Sequence, residues 1–340
     1  MEPDRSGICT TENVGGTKVR FPKDLLQSES AATGFRSDIL EKVLQITHLL
    51  KQLIRHPFLK GRIVLKGGTA LNLFLWDVPR LSVDIDLNYI GSLDRNTMLQ
   101  ERPKIEEALM AVCEREGITV SRQPDEHAGG KWRFKYVSAI NETGNIEVDL
   151  NYILRKPLWP IQILDSKAVG SYSAKDIPVL DLHELAAGKL AALFSRRQSR
   201  DLFDGHHILN NCELDPEKLR LGFVIYGAMS RTDWRTISPD TIQIDPREVE
   251  TLLFPALPVE TIKSISDVTE WTERIIRECQ DKLDIILPFT DSEVEFLNKI
   301  NDEGNIEPEL LASDEKIREI IRSHPGLLWK ALNVQKHKGN

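Results

Sequence analysis

The chain has 340 residues, of which 41% are hydrophobic, 28% charged and 6% aromatic, with a net charge of −8. This composition excludes a largely disordered protein, and no stretch approaches the roughly 18 apolar residues of a membrane span. The polar, acid-containing start (Met1 to Asn13) lacks the basic lead and apolar run of a signal peptide, so a cytoplasmic protein free of membranes is expected. Cys9, Cys113, Cys212 and Cys279 have no paired spacing, which argues against a disulfide framework or a cysteine zinc site. The charge is unevenly placed: residues 201–340 hold 16 Lys and Arg against 27 Asp and Glu, whereas residues 61–200 hold 19 against 18. A near-neutral first half is compatible with an anionic substrate.

In chain order, residues 1–35 mix Gly, Ser, Thr and Pro and predict an irregular arm. Apolar residues from Arg36 to Ile54 recur at helical spacing. A short strand at Arg62–Leu65 ends in Gly67-Gly68 and leads into a helix over Thr69–Leu75. Val83–Ile90 is predicted as a strand, Thr97–Glu116 as a helix and Ile118–Arg122 as a strand. Strands near Trp132–Ile140 and Ile146–Ile153 flank a turn at Asn141 to Asn145. Asp181 is placed to cap a helix reaching Ser195, and Arg200–Leu209 continues helically. Beyond Asp215 the pattern is mostly helical. The expected architecture is therefore α+β, with an N-terminal arm (1–35), a strand-containing core (36–180) and a helical C-terminal lobe (181–340).

The chemistry concentrates in Lys66-Gly-Gly-Thr-Ala-Leu71 and Arg80-Leu-Ser-Val-Asp-Ile-Asp-Leu87. A Gly-Gly turn leaving a strand and opening a helix presents backbone N–H groups to a phosphate, and Thr69 can add a hydroxyl. Asp84 and Asp86, two apart on a strand, project to one face. Two adjacent carboxylates suit a hard divalent cation, Mg²⁺ or Mn²⁺, and the combination points to metal-assisted transfer of a nucleotidyl or phosphoryl group. In Ile146-Glu-Val-Asp-Leu150 a further pair, Glu147 and Asp149, shares the face opposite the apolar residues.

With those residues in place, the chain resembles the DNA-polymerase-beta-type nucleotidyltransferases, and more closely their AbiEii/MenT branch of bacterial toxin–antitoxin and abortive-infection toxins. Glu184-Leu-Ala-Ala-Gly-Lys-Leu-Ala-Ala-Leu193, the Arg200-Asp-Leu-Phe-Asp204 run and His324-Pro-Gly-Leu-Leu-Trp-Lys-Ala-Leu-Asn333 carry the resemblance further. It implies a nucleotidyltransferase-like mixed sheet whose C-terminal lobe completes the active site. An NTP is the implied donor, with Asp84, Asp86 and a third carboxylate as the metal set. Asp149 is the choice for the third, as ligand or as base, with Glu147 the fallback. Gly67, Gly68, Thr69 and Ser82 are implied at the nucleotide, and Ser82 also matches a position where an antitoxin phosphorylates some relatives. Lys189 is implied to face the phosphates, organised by Asp204 or Asp201, with Asp201 the expected partner of Arg197 or Arg200. The implied acceptor is RNA, most plausibly the 3′ end of tRNA, with arrest of translation and a cognate antitoxin as partner. The alternatives are a protein or small-molecule hydroxyl as acceptor, or a GTP-binding module without transfer. No coiled-coil seam is present, so a monomer is the default. The alternating Trp132, Phe134 and Tyr136 read as core in preference to a base-stacking stripe. His206 and His207, adjacent on a helix, diverge and have no third ligand at suitable spacing, and His127 and His183 stand alone in the sequence.

Overall fold

The chain divides into two units, described here from a computed structural model of residues 9–13, 16–124 and 129–338. The first unit comprises Met1–Arg155, Ile161–Leu180 and Phe254–Ser264; the second comprises Lys156–Pro160, Asp181–Leu253 and Ile265–Asn340.

The first unit begins, within the predicted arm, with an antiparallel pair, β1 (Cys9–Asn13) and β2 (Gly16–Arg20), and helix α1 (Lys23–Thr33). The mixed Gly, Ser, Thr and Pro content predicts irregular structure here; α1 buries only Leu26 and so has no apolar stripe to reveal it. The helix ends at Gly34, whose positive φ of 74° lets its N–H reach the Ser30 carbonyl. Helix α2 (Ser37–Arg55) follows, burying Leu40, Val43, Leu44, Ile46, Leu49, Leu50 and Leu53.

A seven-stranded mixed sheet in the order β5-β6-β7-β4-β3-β9-β8 forms the rest of this unit. Its strands are β3 (Ile63–Lys66), β4 (Asp84–Tyr89), β5 (Thr119–Arg122), β6 (Gly129–Val137), β7 (Thr143–Asn151), β8 (Gln162–Leu164) and β9 (Ile177–Val179). The predicted strands up to β7 all form, while β8 and β9 are three residues each, too short for a period-2 signature. Between β3 and β4 lies a short helix α3 (Gly67–Ala70) that widens into a π-turn over Leu71–Leu75. Helix α4 (Arg95–Arg115) starts at Asp94, whose carboxylate accepts from the Thr97 N–H at 2.7 Å. One face of the sheet is apolar: Ile85, Leu87, Phe134, Ile146, Val148 and Leu150 are all at most 2% exposed. Trp132 and Tyr136 join them, Trp132 stacking on Phe134 at 6.1 Å, so the aromatic stripe is core.

The second unit is helical. Helices α5 (Leu182–Arg196), α6 (Ser199–Asn211) and α7 (Pro216–Ala228) precede further helical segments, among them Val268–Gln280, and a final helix, Pro325–Lys338. Asp181 caps α5 as expected, accepting from the His183 N–H at 2.9 Å. The core is aromatic, with Phe223 5.5 Å from Phe194 and 5.1 Å from Trp234. Gly227 permits this packing, since a Cβ there would lie 2.0 Å from the Trp234 indole nitrogen. Cys113, Cys212 and Cys279 are free thiols. His127 lies outside the described residues.

Candidate active site

The alternation of β4 settles which way its acids face. Ile85 and Leu87 are buried in the core, so Asp84 and Asp86, both half-buried, project from the opposite face. Because β4 is the central strand, that face is flanked on both sides. Its parallel pairing with β7 sets Asp84 against Glu147 and Asp86 against Asp149. Four acids therefore form a two-by-two block, in which neighbouring strands lie about 4.8 Å apart. Like charges directly opposite one another repel, so this arrangement needs cations.

The protein supplies some of them. On β6, Lys131 is the register partner of Asp149 and Arg133 that of Glu147. Lys131 Nζ lies 2.9 Å from one Glu147 oxygen, and Arg133 holds the other with contacts of 2.7 and 3.1 Å. Burial works to raise the Glu147 carboxyl, but these hydrogen bonds outweigh it and hold the group below the ordinary range. Both Glu147 oxygens are thus held by cations of the neighbouring strand. Asp84 is different: burial pushes its carboxyl up, and the charges of Asp86 and Glu147 add to this against the pull of Lys42 and Lys131. Lys66 sits opposite Asp86 across the β3–β4 pair. Lys131, Arg133 and Lys42 were not foreseen as parts of this site. The alternation Lys131, Arg133, Lys135 between aromatic residues is the signal in the sequence that would have found the first two.

Gly67 explains the Gly-Gly turn. Its φ is +74°, and a Cβ built on it would lie 2.1 Å from Asp86 Oδ2. Only glycine lets the backbone leaving β3 pass so close to that carboxylate. Thr69 and Ser82 do something other than face solvent. Both are buried; the Thr69 hydroxyl donates to the Asp84 carbonyl at 2.5 Å and lies 3.0 Å from the Ser82 hydroxyl. They pin the turn to the start of β4. Gly68 is also buried, its carbonyl accepting from the Asn72 amide at 3.0 Å.

The donor set on the β4 face is all oxygen, which fits Mg²⁺ or Mn²⁺, and a cation would relieve the repulsion that Asp86 and Glu147 impose on Asp84. Among the described residues, no three Asp, Glu, His or Cys side chains converge closely enough to form a metal cluster. The fit therefore rests on the Asp84–Asp86 pair, with Asp149 beside Asp86 in register.

Lys189 belongs to the second unit. It is no snorkelling surface lysine: its side chain is 9% exposed, and Nζ lies 3.0 Å from both Asp201 and Asp204. The three-residue spacing on α6 brings both acids to one face. Asp201 also takes Arg196 at 3.0 Å, where Arg197 or Arg200 was expected. Arg197 ends α5 with a φ of +55°, and Arg200 is turned to the Leu252 carbonyl at 2.9 Å. His206 and His207 diverge as predicted, His206 bonding Glu278 at 2.6 Å and His207 lying 3.3 Å from Asn211.

The chain shares its fold with the MenT4 nucleotidyltransferase toxin of Mycobacterium tuberculosis H37Rv, at a TM-score of 0.54 and 18% identity over 91% of this chain and 99% of that one. A search of curated proteins gave no match. Residues 48–272 match the family described as nucleotidyl transferase AbiEii toxin, type IV TA system, a span that holds the Gly-Gly turn, the β4 acids and Asp149. The resemblance carried by those motifs is thereby borne out: the chain is a nucleotidyltransferase and belongs to the AbiEii family of toxins of type IV toxin–antitoxin systems.

Proposed function

We propose that the protein transfers a nucleoside monophosphate from an NTP to an RNA hydroxyl, with the 3′ end of tRNA as the acceptor, and so arrests translation. The observation that supports this most is the block of acids on β4 and β7, in which Asp86 and Asp149 are register partners while Glu147 is held by Lys131 and Arg133. Asp84 and Asp86 would hold a divalent cation, which neutralises charge on the triphosphate. Asp149 completes the set, as ligand or as the base that takes the proton of the attacking hydroxyl. The Gly67 and Gly68 backbone offers N–H groups to phosphate oxygens, and Thr69 and Ser82 keep that turn in place. Lys189 is assigned the phosphate charge, steadied by Asp201 and Asp204. The acceptor oxygen attacks the α-phosphorus in line, and the bond to the pyrophosphate oxygen breaks. Catalysis arises from positioning and charge neutralisation.

In its cellular setting this reading pairs the toxin with a cognate antitoxin and places both in the cytoplasm as a monomeric enzyme and its regulator. The test is transfer of label from each of the four α-³²P NTPs, with Mg²⁺, to unfractionated bacterial tRNA and to protein in the same lanes. Label in tRNA from one donor is the expected result. Label on protein alone moves the acceptor to a side chain, and no label in any lane removes the transfer reading.

A further inference from the structure

The register that assembles the acids also lays out a row of cations on the same face of the sheet. On β6 the charged residues facing away from the core are Lys131, Arg133 and Lys135, all exposed, the first two by 54% and 51%, and the exposed Val137 ends the row. On the neighbouring edge strand Arg122 is the register partner of Arg133 and is also exposed. Their cross-strand neighbours are Asp149 for Lys131, Glu147 for Arg133 and the neutral Asn145 for Lys135. Thr119, opposite Lys135 on the other side, is neutral too. Among the described residues, Glu147 is the one carboxylate in ion-pair contact with these four cations. The row begins one strand from Asp149 and two from Asp86, about 10 Å at the usual strand spacing. Lys131 is close enough to the pair for Asp84 and Asp86 both to favour its charged form.

We propose that Lys131, Arg133, Lys135 and Arg122 form a phosphate track that leads the backbone of a nucleic-acid acceptor to the β4 carboxylates. This rests on the nucleotidyl-transfer reading above. Cations two residues apart on a strand repeat every 6.6–6.8 Å or so, a spacing suited to successive phosphates of an extended strand. The aromatic residues between them, Trp132, Phe134 and Tyr136, point into the core, so the track offers no platform for base stacking. Recognition here is of the backbone, salt-dependent and indifferent to base identity. Such a track also reconciles an acidic chain with a polyanionic acceptor, since the cations are collected on one sheet face.

The experiment uses the full chain and two double variants, Arg122→Gln/Lys135→Gln and Arg122→Glu/Lys135→Glu, which leave the Glu147 ion pairs untouched. Binding of labelled oligo(U) and oligo(A) 20-mers and of unfractionated tRNA is measured by filter retention over a series of KCl concentrations. The neutral double variant is expected to lower the log–log salt slope for the oligonucleotides by about 1.4, at about 0.7 for each lost contact, and equally for both sequences. The charge-reversed variant weakens binding by about tenfold or more, and in transfer assays both variants raise KM for the RNA while KM for the NTP stays put. Wild-type slope and affinity in both variants would overturn the track, as would a wild-type chain that ignores RNA but retains an acidic protein. Transfer to tRNA with an unchanged acceptor KM in the variants removes the track alone. Arg122- and Lys135-dependent RNA binding without any transfer removes the transfer reading alone.

Discussion

Lys189 carries a positive charge into a site that is almost dry, with Asp201 and Asp204 at 2% and 0% exposure. Removing one partner of such a cluster strands the other charges, a loss of about 3–5 kcal/mol. Lys189→Met is therefore expected to lower the urea midpoint of the full chain markedly. At a temperature where the variant remains folded it should also lower transfer by about 10²-fold if the ammonium serves the phosphates. A large loss of stability with full transfer would leave Lys189 as a structural residue only. At this scale the sequence was informative where contacts are local and ambiguous where they are not. The Asp84–Asp86 pair follows from a two-residue spacing, and the Asp201–Asp204 pair from a three-residue one. The choice between Asp149 and Glu147 depends on side chains 14 and 16 residues away on β6, and Arg196 could not be preferred over Arg197 or Arg200 without the left-handed turn that ends α5.

Among the elements, the turn from β3 into α3 shows most directly how a backbone serves a site. Gly67→Ala adds a Cβ that would overlap Asp86 and forces a residue into positive φ. The expected outcome is a destabilisation of about 1–3 kcal/mol and a loss of transfer larger than the stability change explains. Thermal unfolding and initial rates on the same preparation check it, and an active, wild-type-stable Gly67→Ala would dismiss the close approach. The sequence made the Gly-Gly turn visible but suggested that Thr69 faces a phosphate. The hydroxyl is taken instead by the Asp84 carbonyl, a partner 15 residues on that no local pattern reveals. The same reason hid β8 and β9, whose three-residue lengths acquire meaning only through pairing, as in the parallel Leu65–Val179 register.

For the molecule as a whole, stability depends on a buried acid in the second unit. Glu184 accepts from the Leu158 N–H at 2.9 Å and the Tyr226 hydroxyl at 3.1 Å, tying the Lys156–Pro160 segment to α5. Burial pushes its carboxyl up to about 7, despite those hydrogen bonds. The folded chain thus holds a proton that the unfolded chain has released, and this contribution is full below about 4.5 and is lost as pH rises through 7. Glu184→Gln imitates the protonated acid, since its amide can donate to the Tyr226 oxygen. Relative to wild type, the variant should gain stability as pH rises from 4.5 to 7, by on the order of 3 kcal/mol at the plateau. Urea unfolding at pH 5 and pH 8 tests the sign; a difference that shrinks with rising pH would refute it. The helical C-terminal half was legible from periodicity, and the start of α5 from the Asp181 cap. That Lys156–Pro160 and Phe254–Ser264 belong with the other unit was not, because it depends on contacts such as Ala256 with Leu81 far apart in sequence.

The proposed reaction takes Asp149 as its third carboxylate and leaves Glu147, whose oxygens Lys131 and Arg133 hold, outside the chemistry. It is tested most directly by single-turnover transfer from the α-³²P-labelled donor, comparing Asp149→Asn and Glu147→Gln with wild type at saturating NTP. Asp149→Asn is predicted to lose about 10²-fold or more in rate with the fold intact, while Glu147→Gln keeps most of its rate and holds the acceptor no less tightly, since Lys131 and Arg133 are freed for phosphates. Near-wild-type transfer by Asp149→Asn together with collapse of Glu147→Gln would contradict it.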